Sequence, residues 1–183
     1  MGDQRGLVGT NISFSYTAQY GVLQINAANP FSFLALAALQ SSTVTALADV
    51  TTWTLSVTSG KSYRIEIIAS YQAAATTTGI KLGVYLYNSG AGTIHGFLAG
   101  SIVNTVAATE LKMPIYAIGA SNLTGSFLLT SGVGVINSPH NIRGTMVFTC
   151  TVTGTLRFQM ASEVASSAAQ LNAGSTMLVT QLN

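Results

Sequence analysis

Three observations predict an all-β fold. Apolar residues recur at every second position from about Thr51 onward. Clusters of Gly, Asn, Ser and Pro punctuate these runs, and no sustained amphipathic helix follows residue 45. Successive side chains of a strand point to opposite faces, so period-two alternation is the pattern of a half-buried strand between turn signals. The Thr, Val and Tyr content suits a pleated surface.

The elements follow in chain order. Residues 1–45 read as an N-terminal arm or adaptor that contacts a neighbouring subunit, or as extra strands of the same domain. Within them Ile12, Phe14 and Tyr16 alternate like a strand, and Val22 to Ile25 is suited to pair with it. Asn29 as cap and Pro30 in a first turn predict a short helix over Phe31 to Leu39, although no fixed helical face emerges.

Residues 46–183 read as the main domain. Trp53, Leu55 and Val57 share one face, and Ser59-Gly60-Lys61 turns the chain. Tyr63, Ile65, Ile67, Ala69 and Tyr71 form the next apolar face, with Arg64 and Glu66 pointing the other way. Ala73 to Gly79 is a small-residue connection before Ile80, Leu82, Val84 and Leu86. Asn88 to Gly92 is a strong turn signal.

The middle of the chain is less regular. Ile94 to Val106 reads as a strand interrupted by Gly96 and Gly100, where glycine marks bulges or close backbone approach. Met113 to Ile118 is a short strand, with Pro114 favouring a sheet edge. Gly119 to Gly125 reads as loop, Phe127 to Thr130 and Val133 to Ile136 as short strands, and Ser138 to Asn141 as a turn. Ile142, Gly144, Met146, Phe148, Cys150 and Val152 then alternate with polar neighbours. Thr153-Gly154 carries a tight hairpin signal, and Leu156, Phe158 and Met160 return on the apolar face. Glu163 to Gln170 is a small-residue crossing before a turn at Asn172 to Ser175 and a last strand, Thr176 to Leu182. The sum is a two-sheet antiparallel sandwich of jelly-roll type with about eight strands.

Composition narrows the function. Only 7% of the 183 residues are charged, against roughly 25% in a typical soluble protein. Hydrophobic residues reach 48%, enough to build a core, so charge-rich disorder is excluded. Interfaces disfavour ions because desolvating one costs several kcal/mol unless it is well paired. A polar but uncharged skin therefore suits a subunit covered by neighbours, with a Ser/Thr-rich lectin or adhesin as the other reading. Arg5, Lys61, Arg64, Lys81, Lys112, Arg143 and Arg157 are scattered singly, so no nucleic-acid partner is expected. Residues 1–9 lack a basic-then-apolar pattern and Phe31 to Leu39 is too short to span a bilayer, so no membrane partner is expected and synthesis is expected in a cytosol.

Chemistry finds little support. The five acids, Asp3, Asp49, Glu66, Glu110 and Glu163, form no recognisable pair for acid–base work. Asp49 and Glu163 are expected to serve turns or single ion pairs. His95 and His140 lack Cys, Asp or Glu at ligand spacing, so no metal site is expected; His140 reads as an exposed turn residue and His95 as a strand or loop residue. Cys150, the only cysteine, reads as a small core residue. The nucleophile-elbow and phosphate-loop patterns are absent, and the N-x-[ST] matches at Asn11 and Asn122 are short enough to be chance. No enzyme, catalytic residue or cofactor is expected; were there an enzyme, Glu66 and Glu163 would be its test positions.

The segment from Tyr63, YRIEIIASYQAAATTTGIKLGV, with IRGTMVFTCTVTGTLRFQMASEVASSAAQLNAGSTMLV from Ile142, resembles a family of tailed-phage virion proteins. These are the jelly-roll domains of head-decoration and tail-fibre proteins, similar in shape to tumour-necrosis-factor-like trimers. The resemblance rests on Tyr63-Arg64, Ala74 to Gly79, Ile142-Arg143-Gly144, Gly154 before Leu156, Ala161 to Val164 and Ala173-Gly174-Ser175. It implies a homotrimer located in a virion, assembled in the host cytoplasm. A short arm ahead of a compact head, with no shaft repeats, points to a capsid decoration or cement protein whose partner is the major capsid protein. The alternative is a tail or tail-fibre component, including a fibre head in which Tyr85, Tyr87 and Phe97 near loops stack on a host-surface glycan.

Overall fold

The computed structural model describes the backbone of residues 13–17, 22–26, 31–87, 91–104, 107–119, 124–128, 130 and 132–183, and the side chains of 32–86, 91–100, 130 and 132–183. These residues form strands and no helix. In chain order the strands are β1 (Ser13–Thr17), β2 (Val22–Asn26), β3 (Phe31–Ala35), β4 (Gln40–Ser42), β5 (Ala48–Val57), β6 (Ser62–Ala73) and β7 (Ile80–Tyr87). There follow β8 (Ala91–Asn104), β9 (Ala107–Gly119), β10 (Thr124–Leu128), β11 (His140–Val152), β12 (Gly154–Ser162), β13 (Ala169–Leu171) and β14 (Thr176–Gln181).

Two antiparallel sheets make the sandwich. The small sheet runs β10-β7-β12-β5, and the large sheet runs β3-β14-β6-β11-β8-β9. From β5 to β12 successive strands alternate between the sheets except at β8 and β9, which form a hairpin within the large sheet. That winding is a jelly roll, as the alternation and turn spacing predict. The large sheet is widened beyond β6 by β14 and β3, and β13 pairs with β6 and β4. Pro114 lies on β9, the outermost strand, where its missing N–H breaks no ladder on the open side.

The core lies between the sheets and is set by parity. From β6 it takes Tyr63, Ile65, Ile67, Ala69 and Tyr71, and from β7 Ile80, Leu82, Val84 and Leu86. Met146, Phe148 and Cys150 come from β11, Leu156, Phe158 and Met160 from β12, and Met177 and Val179 from β14. On β5 the alternation breaks: Val50 and Trp53 are both buried, three positions apart. The pairing to β12 shifts register between Arg157 and Gln159, so a bulge lets both side chains turn inward. Trp53 meets Phe158 edge-to-face with ring centroids 6.3 Å apart.

Several sequence expectations are corrected by the tertiary structure. Phe31 to Leu39 is not a helix: Phe31–Ala35 is β3, paired with β14, because an open sheet edge offers hydrogen bonds to an alternating segment. Residues 31–42 of the stretch read as an arm or as extra strands thus include two strands paired into the large sheet. Val133 to Ile136 is no strand but part of a bend and turn, with Asn137 at φ 51°. Thr153-Gly154 does not close a hairpin, since β11 and β12 lie in different sheets. It is a corner, and so is Ser59-Gly60-Lys61 between β5 and β6. The two corners pin each other: the Gly60 N–H donates to the Cys150 carbonyl and the Cys150 N–H to that of Lys61, each at 2.8 Å. Gly60 has φ +78°, which L side chains rarely adopt. Val152, read on the apolar face, is 45% exposed, because the pairing to β8 shifts between Cys150 and Val152. The glycines of β8 do not interrupt it; a Cβ at Gly96 would lie 2.2 Å from the Thr145 carbonyl oxygen, so glycine admits close approach of β11.

Candidate interaction surface

The outer face of the large sheet consists of the positions between the core residues. Pairing sets one row as Phe33, Leu178, Glu66, Thr145 and Phe97 across β3, β14, β6, β11 and β8. The adjacent row holds Ala35, Thr176, Ile68, Arg143 and Ala99. Phe33 is 68% exposed, Ile68 71% and Phe97 41%. Phe33 and Leu178 are directly opposed, and Leu178 and Ile68 are diagonal neighbours, which is within reach of long side chains. Arg64 and Glu66 form an ion pair on this face, which leaves neither ion seeking a partner across the patch.

Polar side chains tie the frame with few charges. The Gln40 amide donates to the Asp49 carbonyl at 2.8 Å and accepts from the Thr51 N–H at 2.9 Å, fastening β4 to β5. Asn172 donates to the Ser70 hydroxyl at 3.0 Å, and Gln72 to Gln170 at 2.6 Å. On the outer face of the small sheet, Asp49 receives Arg157 at 2.5 Å and Gln159 at 2.8 Å. Asp49 therefore serves a single ion pair, one of the two roles expected of it.

At one end of the sandwich the loops between β6 and β7, β10 and β11, and β12 and β13 meet. A Cβ on Gly79 would lie 1.7 Å from the Thr130 carbonyl oxygen, so only glycine fits there. Glu163 accepts from the Gly79 N–H at 3.2 Å, and Thr78 and Ser167 share a hydrogen bond at 2.5 Å. His140 was read as exposed, yet it is 2% exposed. It opens β11, its ring 5.4 Å from that of Tyr71, and its Nε2 donates to the Val135 carbonyl at 3.2 Å. The Ser-Pro-His-Asn signal concealed this because the turn tucks His140 inward onto β6.

Burial pushes the Tyr71 hydroxyl above its ordinary value, and a hydrogen bond with Thr130 pulls it partly back. A raised folded-state value means the contribution is whole below the unfolded tyrosine value of about 10 and fades as pH climbs through the folded one. The melting temperature should therefore fall above about pH 10, and Tyr71→Phe should flatten that fall. Melts of both chains across this range check it; parallel declines would refute the role of Tyr71. Burial likewise raises the Cys150 thiol, whose Sγ–H donates to the Val152 carbonyl at 3.1 Å.

The other singled-out residues are dispersed. Tyr85 is half-buried on β7 opposite Arg157, whereas Phe97 faces out from the large sheet, on the other side of the sandwich. Both lie within strands and share no platform; the Tyr87 side chain is outside the described ones. Glu66 pairs with Arg64 on a sheet face and Glu163 holds Gly79 at the loop end, so the two are not brought together. His95 is exposed on β8. Asp3, Arg5, Asn11 and Asn122, and the side chains of Glu110 and Lys112, lie outside the described residues. Among the described residues no group of three or more His, Cys, Asp or Glu is placed to hold a metal ion, and no helix is long and apolar enough to cross a membrane. The residues missed in the sequence are Phe33 and Ile68. Ile68 had a signal: it follows Ile67 at a polar-parity position, where alternation calls for a polar residue. Phe33 was hidden by the helix reading.

No protein-family profile and no curated protein sequence matches the chain. Among solved structures it is similar to the VP2 subviral particle of infectious bursal disease virus, at 10% identity and TM-score 0.23, covering 91% of this chain and 44% of that one. The Gt strain of that virus gives 12% identity and TM-score 0.22, over 91% of this chain and 41% of that one. The Gx strain gives 10% and 0.24, over 95% and 44%. The chain spans less than half the length of these proteins. At such TM-scores the backbones do not superpose as wholes.

Proposed function

We propose that this chain is a non-enzymatic structural subunit of a virion, a homotrimer that cements the capsid of a tailed phage by bridging capsid subunits. One observation carries the reading. An ion-poor sandwich presents Phe33, Ile68 and Phe97 to solvent on one sheet face, beside a carboxylate already paired to its own Arg. An isolated soluble domain has no need of such a face, whereas a subunit interface needs an apolar centre depleted of unpaired charge. A trimer stabilised there would bury roughly 1,000 Å² or more per interface. A protein that binds only the assembled shell stabilises that shell by mass action.

Two measurements test this. Light scattering of the purified chain should give three times the mass of one copy. Shells carrying the protein should rupture at a higher temperature than shells lacking it; equal rupture temperatures would remove the cement role, and a mass of one copy would remove the assembly reading.

A further inference from the structure

His140 is a buried titratable side chain that lies apart from the candidate interaction surface. Its ring is 2% exposed and stands 5.4 Å from that of Tyr71. A carbonyl oxygen only accepts, so the 3.2 Å contact with Val135 places the ring proton on Nε2. The other nitrogen, Nδ1, is then a bare acceptor, buried with no hydrogen-bond partner. A neutral imidazole tolerates this at the cost of one unmade hydrogen bond. An imidazolium does not: both nitrogens then donate, and a charge has left water without a counter-ion.

Among the described residues none is placed as that counter-ion. From β6 the facing group is Tyr71, whose hydroxyl bonds to Thr130. Glu163, just beyond β12, is engaged by the Gly79 N–H. Arg143 has the opposite parity to His140 on β11 and is exposed on the outer face. Glu110 and Lys112 lie on β9, paired with Ser101 and Ala99 of β8, two strands away from β11. The sequences of β10 (TGSFL) and β13 (AQL) contain no titratable residue.

The ring also holds something. Val135 and Ile136 form an apolar tip, 46% and 50% exposed. On either side of Val135 the segment is tied to the β6–β7 loop end, by the Val133 N–H to the Thr76 carbonyl at 3.0 Å and the Asn137 N–H to the Ala73 carbonyl at 2.9 Å. The bond from His140 falls between these two, and His140 itself opens β11 opposite Tyr71.

We infer that His140 is an acid-sensitive latch: neutral, it holds the Val135–Ile136 tip against the end of β6, and protonated, it leaves its buried site and frees residues 132–139. The hold is whole where the ring is neutral and weakens as pH falls through the range in which histidine takes up a proton. Acid thereby turns a fixed apolar tip into a mobile one while the sandwich stays folded. The latch acts within one copy and is independent of the assembly reading.

The test is amide hydrogen exchange of the full-length chain at about pH 7.5 and about pH 5.5, read as protection factors so that the intrinsic pH dependence of exchange cancels. The Val133 and Asn137 amides should lose protection at the lower pH by roughly tenfold, and by no more than roughly the hundredfold that one linked proton allows over that span. Amides of β12 should keep theirs. His95→Gln removes the other of the two histidines and should leave the loss intact, which assigns it to His140. His140→Gln retains a donor for the Val135 carbonyl and takes up no proton, so its tip should be equally protected at both values. Should that variant fail to fold, the His95→Gln chain decides alone. Equal protection of the unsubstituted chain at the two pH values overturns the latch, and so does a loss that His95→Gln abolishes or His140→Gln retains.

Discussion

Replacing Phe33 and Ile68 together with Asp is expected to leave the sandwich folded and to abolish self-association at micromolar concentration. Both side chains are largely exposed in the single chain, and substitutions at such positions usually move stability by about 0.5 kcal/mol or less. The effect in an interface is of another order. A carboxylate forced into an apolar contact without a partner costs several kcal/mol, so two should weaken association by roughly a thousandfold or more. The measurement is sedimentation of the variant beside a circular-dichroism melt. Association equal to that of the unsubstituted chain would show that this face is not where copies meet.

Trp53→Ala should have the largest effect on stability, a loss of about 3–5 kcal/mol. Trp53 is fully buried against Phe158, on the stretch of β5 where a bulge turns both Val50 and Trp53 inward. For a domain of this size the melting temperature should fall by roughly 10 °C or more. Trp53→Phe should cost less, because the indole Nε1 is buried without a hydrogen-bond partner and its removal relieves an unsatisfied donor. Denaturant titration of the three chains checks the order. Should Trp53→Ala unfold within about 1 kcal/mol of the unsubstituted chain, the indole does not sit at the centre of the core.

The lone acids illustrate how far local reading reached. Asp49 was expected to serve a turn or a single ion pair; it makes an ion pair, but its partner Arg157 lies 108 residues away and is brought to it only by the pairing of β5 with β12. His140 was misread for the same reason. Its neighbours Ser138, Pro139 and Asn141 signal an exposed turn, and only the packing of β11 on β6 brings the ring to Tyr71.

By itself the sequence determined that the chain is all-β, which residues of β6, β7, β11 and β12 face inward, and that the surface is nearly free of ions. These are properties of single strands and of composition, and period-two patterning states them locally. Only the tertiary structure decided which strands pair. Thr153-Gly154 looks the same whether it folds β12 back beside β11 or carries it to the opposite sheet, because both need a sharp reversal. Phe31–Ala35 becomes a strand because β14 leaves an open edge for it. The candidate interface belongs to that second class: Phe33, Leu178 and Ile68 lie more than a hundred residues apart at the extremes, and only the ladder between β3, β14 and β6 makes them neighbours.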